Sequence, residues 1–68
     1  MEKIKIKTEF IKLDQFIKYV GVADSGAEAK SIVSEELIKV NGQVELQRGK
    51  KLRSGDKIEI KGKAFEIE

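Results

Sequence analysis

Arg48, Lys50, Lys51 and Arg53 put four cations into the six residues RGKKLR, with no acid among them and a single leucine, Leu52, between. Side chains of this kind hold anions through charge-assisted hydrogen bonds, so the chemistry on offer is capture of phosphate, of a nucleic-acid backbone or of an acidic protein surface. The bland alternative is a solvated rim, because a lone basic run on a small protein is more often a solubility feature than a site. Reaction chemistry is poorly provided for. The chain has no His, Cys or Trp, which removes the usual general base near neutral pH, the thiol nucleophile and the commonest zinc ligands. Glu35 and Glu36 are neighbours, but adjacent helical residues point apart and make a poor acid/base or metal pair. No phosphate-cradling Gly-Lys-Ser/Thr loop, dinucleotide fingerprint or nucleophile elbow is present. The expectation is a protein without catalytic residues, metal or cofactor.

Net charge is only +2, from 14 basic and 12 acidic residues, so anion binding must come from local clustering rather than from a polycationic surface. At 68 residues the chain is read as a single domain over 1–68, close to the lower size at which an unstapled core folds alone. MEKIKIK lacks the apolar core of a signal peptide, and no run approaches the roughly 20 apolar residues of a membrane span. A cytoplasmic protein away from membranes is expected.

Several elements must position the cations. EKIKIK, residues 2–7, alternates charged and apolar side chains and predicts a half-buried strand with Ile4 and Ile6 on one face. Leu13, Phe16, Ile17 and Val20 then stand at i, i+3, i+4 and i+7, one stripe of a short helix closed by Gly21, with Phe10 and Ile11 leading into its first turn. Ser25 opens a second helix with Glu28 at the capping-box position, and Ala29, Ile32, Val33 and Leu37 form its buried stripe. Only Val22 to Ser25 separate the two patterns, so they form a helix-turn-helix unit.

Strands and turns follow. In IKVNGQVEL, a three-residue loop of Val40, Asn41 and Gly42 sets Ile38 opposite Val44 and keeps one face apolar, whereas a two-residue Asn-Gly loop mixes the faces, so the longer loop is expected. In KIEIKGKAFEIE, a Gly62-Lys63 turn pairs Ile60 with Phe65 and Ile58 with Ile67. Asp56 holds the turn before that strand through a local hydrogen bond. The predicted fold is α+β: a two-helix unit packed on a small, mainly antiparallel sheet in the order strand, helix, helix, several strands.

Architecture raises the odds for the basic run, since helix N-termini favour phosphate and the cations lie on a neighbouring loop. Leu52 anchors that loop, so Arg48, Lys50, Lys51 and Arg53 must mostly face outward. Lys12, Lys18 and Lys30 lie on or beside the helices, each unremarkable alone. Ser25 is first a cap and Gly26 a backbone device, with phosphate contact an additional role. Asn41 and Gln43, at the hairpin tip, are candidate readers of a sugar or base edge. Phe10, Phe16 and Phe65 read as core and Tyr19 as half-buried, which favours recognition of RNA backbone and shape over base stacking.

The ordered set IKLDQFIKYVGVADSGAEAK and IKVNGQVELQRGKKLRSGD resembles the S-four RNA-binding domain, and in particular the short bacterial proteins that consist of little else. The resemblance rests on Leu13-Asp14, Phe16, Lys18, Gly21, Ser25-Gly26, Ala29-Lys30, Val40-Asn41-Gly42, Arg48-Gly49, Lys51-Leu52 and Gly55-Asp56, spread over nearly the whole chain. It implies a non-catalytic module whose two-helix unit, hairpin and basic loop form one surface for structured RNA, such as ribosomal RNA, ribosome-assembly intermediates or tRNA. The chain departs from that pattern in three places: Ala27 follows Gly26 where a second glycine is common, Glu36-Leu37 replaces a glycine before the hairpin, and Leu46-Gln47-Arg48 stands where two arginines often adjoin. Lys12, Lys18, Ser25, Gly26, Lys30, Asn41, Gln43, Arg48, Lys50, Lys51 and Arg53 are the expected RNA-binding residues, in a monomer that could also meet a protein partner. Two alternatives share parts of the pattern. A β-grasp sulfur carrier has a similar hairpin but needs a C-terminal Gly-Gly, where this chain ends Phe65-Glu66-Ile67-Glu68; a protein-interaction module would use the same cations on an acidic partner.

Overall fold

The computed structural model describes residues 1–68, and its elements follow the expected order. The strand β1 (Glu2–Ile4) leads to a two-residue strand β2 (Ile11–Lys12), which runs directly into the helix α1 (Leu13–Tyr19); the helix α2 (Gly26–Ser34) follows. Five short strands complete the chain: β3 (Ile38–Val40), β4 (Gln43–Val44), β5 (Lys51–Leu52), β6 (Lys57–Ile60) and β7 (Lys63–Ile67). They form a five-stranded sheet in the order β1-β7-β6-β3-β4 and a separate two-stranded ribbon of β2 and β5. The sheet is antiparallel except where β1 lies parallel to β7, with Ile4 beside Ile67. No helix is long and apolar enough to cross a membrane.

Alternation along the strands sorts the sheet into two faces. Ile4, Ile38, Val40, Ile58, Ile60, Phe65 and Ile67 point inward and are buried, and they meet Leu13, Phe16 and Ile17 of α1 and Ala29, Ile32 and Val33 of α2 in one cluster. Phe16 and Phe65 join the layers edge to face, with centroids 5.7 Å apart, an arrangement that matches ring edge to ring face. No polar or charged side chain is buried, so nothing in this core needs a partner to offset its desolvation.

The two helices end alike but with different residues. After α1, Gly21 (φ 81°) takes the left-handed position; its N–H donates to Lys18 O and that of Val22 to Ile17 O, the paired bonds of a Schellman motif. After α2 the same two bonds recur, from Glu36 N to Val33 O and from Leu37 N to Ile32 O. There the left-handed residue is Glu36, at φ 61°. This is the site of the missing glycine, and the helix end survives the replacement. Leu37 lies beyond the turn and is 39% exposed rather than part of the buried stripe.

Both hairpins differ from the sequence reading. β3 and β4 pair Lys39 with Val44 and Val40 with Gln43, which leaves a two-residue Asn41-Gly42 loop with both residues at positive φ, 52° and 87°. The phase argument assumed that Val44 needed the core, yet it is 44% exposed on a two-residue edge strand. Turn chemistry won instead, since Asn-Gly suits the twist of a type I′ hairpin. The second hairpin turns at Lys61-Gly62 and pairs Ile58 with Phe65 and Ile60 with Lys63. That is a shift of two residues from the expected pairing, which preserves the faces because the side-chain period is two. Ile6 lies past the end of β1 and is half-buried.

Candidate nucleic-acid interface

The ribbon of β2 and β5 is the centre of the site. Ile11 stands opposite Leu52 and Lys12 opposite Lys51. Leu52 is fully buried, so the apolar pair of the ribbon faces the core. The other face therefore carries Lys12 and Lys51, flanked by Phe10 and Arg53 one step along each strand. Side-chain positions agree: Lys51 Nζ lies 4.8 Å and the Arg53 guanidinium 5.4 Å from the centroid of the Phe10 ring. Two cations thus lie over one aromatic ring on a patch two strands wide. Cation–π attraction at an exposed site is worth about 0.5–1 kcal/mol, enough to bias the two long side chains toward one orientation.

Arg48 and Lys50 are fixed through their backbone. Lys50 O accepts from Leu13 N at 2.9 Å and Arg48 O from Asp14 N at 3.0 Å. The basic loop therefore closes the first turn of α1 and uses N–H groups that would otherwise be free at that helix start. For α1 this limits the expectation that helix N-termini offer their amides to phosphate. What it offers is a rigid mount, with the exposed Arg48 and Lys50 side chains projecting from carbonyls locked to the helix.

The far end of the ribbon is tied to the hairpin tip through Asp56. Its carboxylate accepts from Arg53 N at 2.8 Å and from Asn41 Nδ2 at 3.1 Å, while Asn41 Oδ1 accepts from Lys57 N at 2.9 Å. Asp56 does hold its turn, as expected, and Asn41 is bound at both ends of its amide. Asn41 thereby positions the tip beside Arg53, and Gln43, exposed on β4, is the freer side chain of the two.

The remaining candidates lie on the helices. Lys18 is half-buried in the last turn of α1, away from the ribbon end of that helix. Ser25 Oγ accepts from Glu28 N at 3.2 Å, and Glu28 Oε1 accepts from Asp24 N at 2.7 Å. The capping box is therefore formed with its return bond one residue earlier than expected, and it brings a carboxylate to the start of α2. Gly26 has no positive φ, and a Cβ built there would meet nothing within 4 Å. The fold does not demand its glycine. No hydrogen bond joins Ser25, Gly26 or the exposed Lys30 to the ribbon.

Two aromatic residues stand elsewhere than the sequence reading put them. Phe10 is half-buried beneath cations rather than in the core, and Tyr19 is 62% exposed rather than half-buried. Phe10 was legible in principle: Phe10 and Lys12 alternate along one strand, as Lys51 and Arg53 do along the other, so pairing Ile11 with Leu52 puts all four on one face. Hydrophobicity alone assigned it inward.

The fold agrees with what similar proteins indicate. The profile of the S4 domain family matches residues 4–68. The chain belongs to the S4 domain family. It is 46% identical over 59 residues to the probable ribosome maturation protein RlbA of Bacillus subtilis (strain 168), covering 87% of this chain and 83% of that protein. The solution structure of YbcJ from E. coli, described as having an αL motif involved in RNA-binding, superimposes with a TM-score of 0.73 at 28% identity, over 98% of this chain and 86% of that one. The 30S ribosomal protein S4e from Thermoplasma acidophilum matches with the same TM-score and identity over 88% of this chain, which corresponds to only 32% of that longer protein.

Proposed function

We propose that residues 1–68 act as one non-catalytic module that docks on structured RNA, with ribosomal RNA the first candidate. Membership of the S4 domain family points to RNA as the ligand class, and a relative named as a ribosome maturation protein favours the ribosome or its precursors over tRNA. Work on such particles belongs to the cytoplasm. The β-grasp sulfur-carrier alternative has no support in family membership.

The observation that carries this reading is the register of the ribbon. Lys12 and Lys51 are held directly opposite one another, and like charges in that relation destabilise a strand pair. An RNA phosphate lying across the ribbon converts that repulsion into attraction from both strands. Arg53, Arg48 and Lys50 extend the positive surface along the loop, and Lys18, Ser25, Gly26 and Lys30 supply a second, outlying line of contact on the helices. Gln43 and the tip held by Asn41 border the ribbon and meet the sugar edge of the same strand.

About three to five phosphate contacts give a log-log salt slope of roughly −2 to −4. Fluorescence anisotropy of a labelled ribosomal RNA hairpin over a salt series measures it directly. The same series is run with Arg48, Lys50, Lys51 and Arg53 all changed to Ala, with circular dichroism to check the fold. A folded variant that binds weakly with a flattened slope is the expected result. Equal curves for the two proteins would rule out the ribbon and loop as the RNA-binding surface.

A further inference from the structure

Beside the cation-covered ribbon lies a hollow of about 330 Å³ lined by Ile6, Lys7, Thr8, Ile11 and Tyr19. Ile6 and Ile11 are partly buried and pack against the core, so they form an apolar floor. Tyr19 rises from the last turn of α1 as an aromatic wall, 62% exposed. Its hydroxyl donates to Lys5 O at 3.2 Å, which pins the ring to the segment that leaves β1. Thr8 Oγ1 donates to Phe10 O at 2.8 Å and fixes the bend between Thr8 and Phe10. Two of the five lining residues are thus tied to the backbone.

We propose that this hollow takes one unpaired nucleobase of the bound RNA, stacked on Tyr19, while the phosphates flanking that nucleotide rest on Lys7 and Lys12. The inference rests on the RNA reading above and adds a ligand class to it. Three features favour a base over other occupants. Ile11 belongs to both structures: its side chain lines the hollow, and its chain neighbours Phe10 and Lys12 lie on the cationic face of the ribbon. The hollow and the cationic face therefore lie on opposite sides of one strand, and a nucleotide crossing the edge of β2 reaches both. Lys7 on the rim complements phosphate and would repel a basic protein segment. The volume lies at the small end of ligand pockets, and an apolar floor with an aromatic wall is the arrangement on which bases stack.

Readout of base identity is weak in such a site. The Tyr19 and Thr8 hydroxyl protons are engaged with backbone carbonyls, so little remains to donate to a Watson–Crick edge. Selectivity is for an unstacked base of any kind, hence for a bulge or loop over a continuous duplex.

The test compares two RNA hairpins, one fully paired and one with a single bulged 2-aminopurine, against wild type, Tyr19→Phe, Tyr19→Ala and Thr8→Trp, the last filling the hollow without removing its wall. The expected result is roughly tenfold tighter binding of the bulged hairpin by wild type, with quenching of 2-aminopurine fluorescence. Tyr19→Phe retains the preference, and Tyr19→Ala and Thr8→Trp abolish it while binding the paired hairpin as wild type does. No preference in wild type, or a preference unchanged in both of the latter variants, overturns the base site and leaves the ribbon reading intact. A protein that binds neither hairpin at low salt overturns both.

Discussion

Lys12 occupies a position where local electrostatics favours a different residue. It is the N-cap of α1, with extended backbone at φ −73° and ψ 147° and no side-chain cap bond, since loop carbonyls and Asp14 already take the first N–H groups. It sets a positive charge at the positive end of a helix, and it faces Lys51 across the ribbon. A residue that conflicts with local stability in two ways at once is the expected mark of a binding position. Lys12→Thr suits a strand and removes both the repulsion from Lys51 and the cation at the helix start, so it raises stability by about 0.5 kcal/mol. For a domain of this size that is about 2–4 °C in Tm by thermal unfolding. The same variant loses RNA affinity and lowers the salt slope by about 0.7–0.9, one phosphate contact. A fall in Tm together with unchanged RNA binding would show Lys12 to be a structural residue. Asn41 is the counter-example. Its left-handed backbone and its bonds to Asp56 and Lys57 are what the turn requires, so its type is explained by the fold.

At the scale of elements, helices were more legible than hairpins, and the reason is physical. The stripe Leu13, Phe16, Ile17 and the cap at Ser25 are local signals, complete within a few residues, and all appear as read. Hairpin register depends on which side chains the rest of the molecule buries. Treating Val44 as a core residue was reasonable for a long strand and wrong for a two-residue edge strand. The ribbon itself was invisible as a strand pair, because two residues on each side carry no periodicity. Helix ends give the sharpest prediction at this scale. The two Schellman turns differ only in Gly21 against Glu36 at the left-handed residue, and a non-glycine there costs about 1–2 kcal/mol. Glu36 also puts a negative charge at the negative end of α2. Glu36→Gly therefore stabilises the protein by about 1 kcal/mol, less than the full conformational term because glycine also loosens the unfolded chain. Urea denaturation reads this as a higher midpoint at unchanged m-value. An unchanged or lower midpoint would mean that Glu36 has a compensating interaction.

For the whole molecule, the arrangement of charge matters more than its sum. The outward face of the sheet alternates in sign across the strands: Lys3 lies beside Glu66 and Glu66 beside Lys57, while Lys39 lies beside Glu59. Such opposite-charge neighbours support strand pairing and leave that face close to neutral. The ribbon and its loop carry Lys12, Arg48, Lys50, Lys51 and Arg53 within a short stretch of surface, so a molecule of net charge +2 presents one strongly positive side. A surface of this kind orients an approaching polyanion before contact, over about 10 Å at 0.1 M salt. Removing two cations from either place changes net charge by the same amount, which separates the effect of site from that of total charge. Lys39→Ala with Lys57→Ala leaves RNA affinity within about twofold and the salt slope unchanged, because neither lysine meets a phosphate. Lys12→Ala with Lys51→Ala lowers the slope by roughly 1.4–1.8, two phosphate contacts, and weakens binding most at low salt. Anisotropy titrations of the two double variants on one RNA decide the matter. Equal losses from both pairs would mean that net charge alone governs binding and that the ribbon has no special place in it.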